Sequence, residues 1–397
     1  MTTAASHPAH FVRDRLTWLT YLVNAWGTFS VAALSPLMPF LASDLNLSYT
    51  QRGLHTSAFA VGGLVAGVSA ERLAQRLPRR VIIWGGGGGL AIAMLALLLL
   101  REPVLTVSAT FVMGLAAALM FVTAQAALAD HQGDFRNVAF TESSVGASIA
   151  GLMAPLLIST AEALALGWRG AVLLSPLAFL ALLAWGMRIR VPNEPRVLAS
   201  ASTSRRLSRL YWLFWLVMAL GSAIEWSVGF WTPAFLTDVV GVEPVTAAGA
   251  LSLIWLGLIV GRVVGSVLSR RFQPTTLLLG AIGIVLLAFP VLWLARQQTL
   301  AFAAIFVMSL GLANFFPLIL ASATAAGANN INAATGRIAL AVNTAILLAP
   351  QLLGSLGDQI GIEMAYAGIA LIALAMLALC ILARWAQRQP SWRTAPA

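Results

Sequence analysis

Residues 18–27 read WLTYLVNAWG and residues 212–221 read WLFWLVMALG. A shift of 194 residues lays one on the other and also superposes Pro39 on Pro233. Residues 111–121 (FVMGLAAALMF) and 306–316 (FVMSLGLANFF) repeat the match at a shift of 195. A third pair has the same offset: Glu142, Gly146, Ala150, Ala154 and Pro155 answer to Arg337, Ala341, Ala345, Ala349 and Pro350. Three segment pairs agreeing on nearly one offset make the chain two halves in parallel repeat.

The repeated segments are apolar, and so is most of the rest. Of 397 residues 59% are hydrophobic and 10% charged, far outside the composition of a soluble domain. Apolar runs long enough to cross about 30 Å of hydrocarbon as helices recur throughout. They read as spans at about 16–42, 51–71, 80–100, 104–128, 138–162, 168–188, 210–237, 246–269, 275–295, 298–322, 334–357 and 361–385. The expected fold is therefore an all-α polytopic membrane protein of twelve transmembrane helices in two pseudo-symmetric six-helix bundles, residues 16–188 and 210–385. A tail (1–15), a linker (189–209) rich in Pro, Ser and Arg, and a second tail (386–397) complete it. The first tail has neither an apolar core nor a cleavage site of its own, so the first span is expected to be retained.

The chain has 24 arginines and no lysine, for a net charge of +10. If both termini are cytoplasmic, eighteen arginines fall on the inner side and four (Arg52, Arg101, Arg169, Arg296) on the outer. That bias sets the expected topology in an inner (plasma) membrane, and it removes any need for a nucleic-acid partner. A single cysteine, Cys380, excludes an intrachain disulfide or a Cys-based metal site. Four scattered histidines and no nucleophile with a base at usable spacing argue against an enzyme, a metal or a cofactor. The run GGGGG at 85–89 lies inside a span and lacks the Lys-Ser/Thr of a phosphate loop, so it reads as a surface for close helix contact.

The loop after the second span, GVSAERLAQRLPRRVII (67–83), resembles the G-x-L-A-D-R-x-G-R-R signature of the major facilitator superfamily through Leu73, Ala74, Arg76, Arg79 and Arg80. Gln75 and Pro78 depart from it, standing where the family has aspartate and glycine. The resemblance covers nearly the whole chain. It implies a secondary transporter acting as a monomer by alternating access, with a cavity lined by spans one, four, seven and ten. Its subfamily features point loosely both to fucose-permease-like sugar carriers and to drug/proton antiporters.

Glu225 stands in the apolar run GSAIEWSVGFWTPAFL (221–236), where a carboxylate is expensive unless used. Its repeat partner is Val31, so the repeated fold does not require an acid there. Gly221, Ser222, Val228, Gly229 and Thr232 share its face, a small and weakly polar surface suited to a cavity wall. With no arginine expected near its depth, Glu225 is the candidate for proton coupling and for contact with substrate. Tyr21, Asn24, Gln125, Trp226, Trp231 and Asn314 are the other candidate substrate contacts. The alternative role for each is an interhelical hydrogen bond or packing.

Glu142 and its repeat partner Arg337 begin small-residue stripes on spans five and eleven. In the family these stripes face spans eight and two. A reciprocal cytoplasmic gate is therefore expected, pairing Glu142 with Arg262 or Arg270 of span eight and Arg337 with Glu71; Arg72, Arg76, Arg79 and Arg80 of the motif loop complete it. The functional expectation is proton-coupled transport of a small neutral, sugar-like or cationic organic solute. The alternative is a drug/proton antiporter exporting hydrophobic cations. Partners are thus the solute, protons and membrane lipid.

Overall fold

The computed structural model describes residues 11–192, 207–327 and 331–389. Most of the linker and both tail ends lie outside the described residues. The regular elements are helices, which satisfy their own backbone groups in a medium that cannot. In chain order they are α1 (Arg15–Ala32), α2 (Leu34–Leu45), α3 (Tyr49–Arg76), α4 (Arg79–Leu99), α5 (Pro103–Gln132), α6 (Arg136–Ala163) and α7 (Gly167–Gly186). Then follow α8 (Arg209–Phe235), α9 (Pro244–Leu268), α10 (Pro274–Leu294), α11 (Gln298–Leu312), α12 (Phe315–Ala326), α13 (Ile331–Ile360) and α14 (Ile362–Ala386).

Helix starts follow local chemistry. The Asp14 carboxylate accepts the Thr17 amide at 2.9 Å to cap α1, and the Ser208 hydroxyl accepts the Tyr211 amide at 3.2 Å to cap α8. Pro103, Pro244 and Pro274 open α5, α9 and α10, where a missing N–H costs nothing. Eleven helical stretches among the described residues are long and apolar enough to cross a membrane. One of them, the 61-residue Pro103–Ala163, holds α5 and α6 on either side of a tight turn at Gly133–Phe135. Counting it as two crossings gives twelve.

Two spans expected to be continuous are broken. The first is interrupted at Ala33, between α1 and α2, and the tenth at Ala313–Asn314, between α11 and α12. Each break has a proline just beyond it. Pro36 cannot bond the Ala32 carbonyl and Pro317 cannot bond that of Ala313, and each ring crowds the carbonyl four residues back. Their repeat partners differ: α5 runs unbroken, and α8 is regular until it widens into a π turn at Leu236–Val240.

Contacts divide the chain into two compact units, Met1–Leu37 with Ala58–Arg196, and Met38–Ser57 with Val197–Ala397. The expected cut at the linker is therefore incomplete, since the hairpin Met38–Ser57 packs into the second unit. In the first unit the ring of Trp26 lies 5.0 Å from that of Phe179, with Leu90, Met94 and Met113 fully buried. The glycine run serves both of its neighbours: Gly86 and Gly89 leave room for α5, and Gly87 for Phe179 of α7. In the second unit Phe235, Phe289 and the buried Tyr366 stack at 4.6 and 5.6 Å. Outer faces carry exposed apolar side chains such as Ile92, Leu180, Leu287 and Leu371, as a lipid-facing surface requires.

The closest backbone approach in the first unit joins α3 and α5. A methyl group on Gly114 would lie 1.9 Å from the Phe59 carbonyl oxygen, and one on Gly62 would lie 2.1 Å from that of Phe111. Gly114→Ala is accordingly expected to destabilise the purified protein by about 1–3 kcal/mol through overpacking. Thermal unfolding in detergent checks this, and an unchanged midpoint would mean the two helices separate freely.

Candidate functional site

Polar groups gather at three places, each within one unit. The first is on α8. Glu225 and Trp226 are partly buried, and a side chain added at Gly229, one turn on, would meet nothing within 4 Å. The rest of the expected cavity face is instead packed. Val228 and Thr232 are fully buried, and Thr232 Oγ1 lies 3.0 Å from the Tyr366 hydroxyl while donating to the Val228 carbonyl at 2.6 Å. Gly221 abuts Ile319, Met376 and Phe315. Glu225 and Trp226 thus lie partly buried on α8 beside a glycine that leaves space for a side chain. Arg262 of α9 is close enough to act electrostatically on Glu225, which corrects the expectation that no arginine lies near the acid.

Trp231 is 1% exposed, donates its indole N–H to the Pro350 carbonyl at 3.0 Å and meets the Tyr49 ring edge-on at 5.9 Å. Its aromatic faces are committed to packing, a correction to its expected role as a ligand platform. Asn314, at the break in the tenth span, donates to the Gly261 carbonyl at 2.9 Å, and its side chain fills the space a methyl on Gly265 would need. It joins α12 to α9, the interhelical role open to it from the start.

The second cluster joins α1, α5 and α6. Arg13 grips Glu142 with two nitrogens, at 2.5 and 2.9 Å, and the Tyr21 hydroxyl donates to the same carboxylate at 3.1 Å. Asn24 donates to the Ser143 hydroxyl at 2.9 Å. Gln132 donates to the Val12 carbonyl and to Thr17, and His131 lies 2.8 Å from Asp14. Partial burial pulls the Asp14 carboxyl upward, but the Thr17 amide and hydroxyl and the nearby His131 outweigh it and hold the group below its ordinary range. The segment before α1 is thereby tied down. Glu142 has found Arg13, which lies outside the spans and 129 residues away, in place of an arginine of the eighth span. Its repeat partner Arg337 likewise stays within its own unit, its guanidinium 5.6 Å from the Trp212 ring centre. Gln125 of α5 differs from its neighbours: its carbonyl oxygen is buried and has no hydrogen-bond partner among the described residues.

The third cluster was not apparent from the sequence. At the start of α3, the Tyr49 and Thr50 amides donate to the two Asp358 carboxylate oxygens at 2.9 and 2.8 Å. The Tyr49 hydroxyl donates to Asp238 at 2.7 Å, with Arg52 3.9 Å from the same carboxylate. Ser57 donates to the Leu347 carbonyl at 2.6 Å, and a methyl on Gly354 would lie 2.5 Å from the Tyr49 carbonyl oxygen. A helix N-terminus carries unsatisfied amides and partial positive charge, and here the acid that meets both comes from 309 residues away. These contacts hold the hairpin in the second unit.

The motif loop divides its arginines. Arg79 pairs with Asp130 at the end of α5, and Arg80 donates to the Met187 carbonyl after α7, tying three helix ends of the first unit together. Glu71, Arg72, Arg76 and Arg270 are exposed. Arg262 is exposed too.

The sequence profile of the Major Facilitator Superfamily matches residues 17–326. The chain is 26% identical over 379 residues to a glucose/galactose transporter of Brucella abortus, covering 88% of this chain and 89% of that protein. It is 30% identical over 304 residues to a chloramphenicol resistance protein of Streptomyces lividans, covering 71% and 73%. Its fold is similar to that of a bacterial homologue of the human lysosomal transporter Spinster, with a TM-score of 0.80 at 16% identity over 98% of this chain and all of that one.

Proposed function

Given that the chain belongs to the Major Facilitator Superfamily, and is therefore a multi-pass membrane transporter and not an enzyme, we propose that it is a secondary active transporter of a small, neutral, sugar-like solute. Transport is coupled to a proton carried by Glu225. The observation that carries this reading is the stretch of α8 from Glu225 to Gly229, where a partly buried carboxylate and indole lie about one turn from a glycine that leaves space for a side chain. Such a surface offers a proton site, a flat apolar face for a sugar ring and room for it to approach. The glucose/galactose relative, matched along most of its length, favours the same solute class. The protein resides in the inner membrane with both termini cytoplasmic, the side on which its arginines concentrate.

The second reading is proton-coupled drug export, favoured by the 30% identity to the chloramphenicol resistance protein. A solute screen on proteoliposomes carrying an internal pH dye separates the two. Hexoses or polyols should drive proton movement under the first reading. Proton movement driven by hydrophobic drugs, with hexoses and polyols silent, would replace it with the second.

A further inference from the structure

A cavity of 870 Å³ opens at one end of the second unit, where α10 and α8 begin and α12 and α14 end. None of the residues used above for transport lines it. Arg384 and Arg388, one helical turn apart, both face it, and no acidic residue does. Neither guanidinium forms an ion pair among the described residues. The first turn of α10 contributes Thr275 and Thr276, and Gln273 at its cap position makes no side-chain capping bond. Thr275 is only 3% exposed, lines the cavity, and its hydroxyl makes no hydrogen bond among the described residues. The Ser322 hydroxyl on the opposite wall, in contrast, is satisfied by the Leu318 carbonyl at 2.8 Å.

An arginine near a helix C-terminus can be explained by the helix dipole alone, and that would account for Arg384 on α14. It does not account for Arg388 entering the same cavity, nor for Thr275, a residue only 3% exposed, sharing the lining with no hydrogen bond to its hydroxyl among the described residues, at a helix N-terminus whose cap residue makes no side-chain bond. Two fork-shaped donors, a hydroxyl and the positive end of a 21-residue helix meet the requirements of a tetrahedral oxyanion with several acceptor oxygens. The cavity is far larger than inorganic phosphate and matches the range of organic-ligand pockets. We propose that this cavity binds a phosphoryl group carried on an organic molecule, either a phospholipid headgroup or a soluble phosphate ester, at a site separate from the transported solute.

The test uses the full chain, purified in detergent and in nanodiscs, followed by thermal unfolding. In detergent, inorganic phosphate is titrated against chloride at matched ionic strength; in nanodiscs, phosphatidylcholine alone is compared with mixtures containing phosphatidic acid. A saturable stabilisation is expected in at least one arm. A response to phosphate in detergent identifies the soluble source, and a response confined to phosphatidic acid identifies the lipid. Joint replacement by Arg384→Gln and Arg388→Gln should raise the half-saturating amount about tenfold or more, as loss of charge-assisted bonds does. Thr275→Val should raise it about threefold through loss of one hydroxyl, and it carries the test alone if the double variant does not fold. Arg271→Gln, at the same end but outside the cavity, should leave it unchanged. The proposal is overturned if neither arm responds, or if Arg271→Gln weakens the response as much as the paired change, since diffuse surface charge would then suffice.

Discussion

Glu225→Gln is expected to abolish accumulation of the solute against its gradient while leaving exchange of solute across the membrane largely intact. The change keeps the shape of the side chain and its capacity to hydrogen-bond, and removes only the site that can gain and lose a proton. A proton crossing about 100 mV supplies about 2.3 kcal/mol. At about 1.4 kcal/mol per tenfold, that sustains a roughly 50-fold concentration ratio. The variant should therefore lose about that ratio at this potential if one proton moves with each solute. Substrate-driven acidification or alkalinisation of proteoliposomes should vanish with it, while counterflow of labelled solute persists. Wild-type accumulation by the variant would remove Glu225 from the coupling mechanism. Loss of counterflow as well would assign the acid to solute binding.

Asp358→Ala should release the hairpin. Its carboxylate accepts the first two amides of α3, Tyr49 and Thr50, while the local capping box of Ser48 and Gln51 satisfies only the Gln51 and Ser48 amides. Loss of an N-cap costs about 1 kcal/mol, up to about 2, and one or two kcal/mol is a factor of about 5–30 in a local equilibrium. The readout exploits the single native cysteine: with Cys380→Ala as background, Ser57→Cys places a thiol at a position that is 8% exposed. Its modification by a water-soluble thiol reagent should be slow when Asp358 is present. Removal of Asp358 should accelerate it about 5–30-fold. Tyr49→Phe, which deletes only the hydroxyl bonded to Asp238, should give a smaller acceleration. Equal labelling rates with and without Asp358 would show that packing of Tyr49 against Gly354 and Trp231, and not the cap, holds the hairpin.

Much of the candidate site was legible because some residues violate the pattern around them. Glu225 stands out as a charge in an apolar run whose repeat copy has valine. Gln125 stood out as a lone polar group on its span, and it alone of the expected first-unit contacts keeps a buried oxygen without a partner among the described residues. Tyr21 and Asn24 stood out equally in the sequence, yet both are committed to α6, through Glu142 and Ser143. Nothing in a linear pattern separates a polar side chain held by its neighbour from one left for a ligand. Trp231 illustrates the same limit, since a tryptophan beside an intramembrane acid has the same spacing whether its ring faces a solute or the backbone of α13.

The partners that Glu142 and Arg337 have within their own units were not legible in the repeat. The repeat pairs these positions with each other, and a pseudo-symmetric reading assigns them reciprocal partners. Side-chain pairing obeys reach and burial instead: Arg13 lies before the first span, outside the repeat, and Trp212 offers Arg337 an aromatic face.

The sequence by itself determined that the chain is a membrane protein of twelve crossings in two repeated halves and that one carboxylate stands in an apolar run whose repeat copy has valine. Those properties depend on counts and periods that hold along the chain whatever it packs against: length of apolar run, offset of the repeat, side on which arginine collects. The broken spans belong partly to this group too, because a proline acts on the carbonyl four residues back. Only the tertiary structure decided which unit holds the hairpin at 38–57, which acid caps α3, which face of α8 is packed, and that a buried threonine and two arginines share a cavity. Each of these rests on groups brought together from more than 90 to more than 300 residues apart, and contact energies fall off over a few ångströms, so no spacing in the chain encodes them.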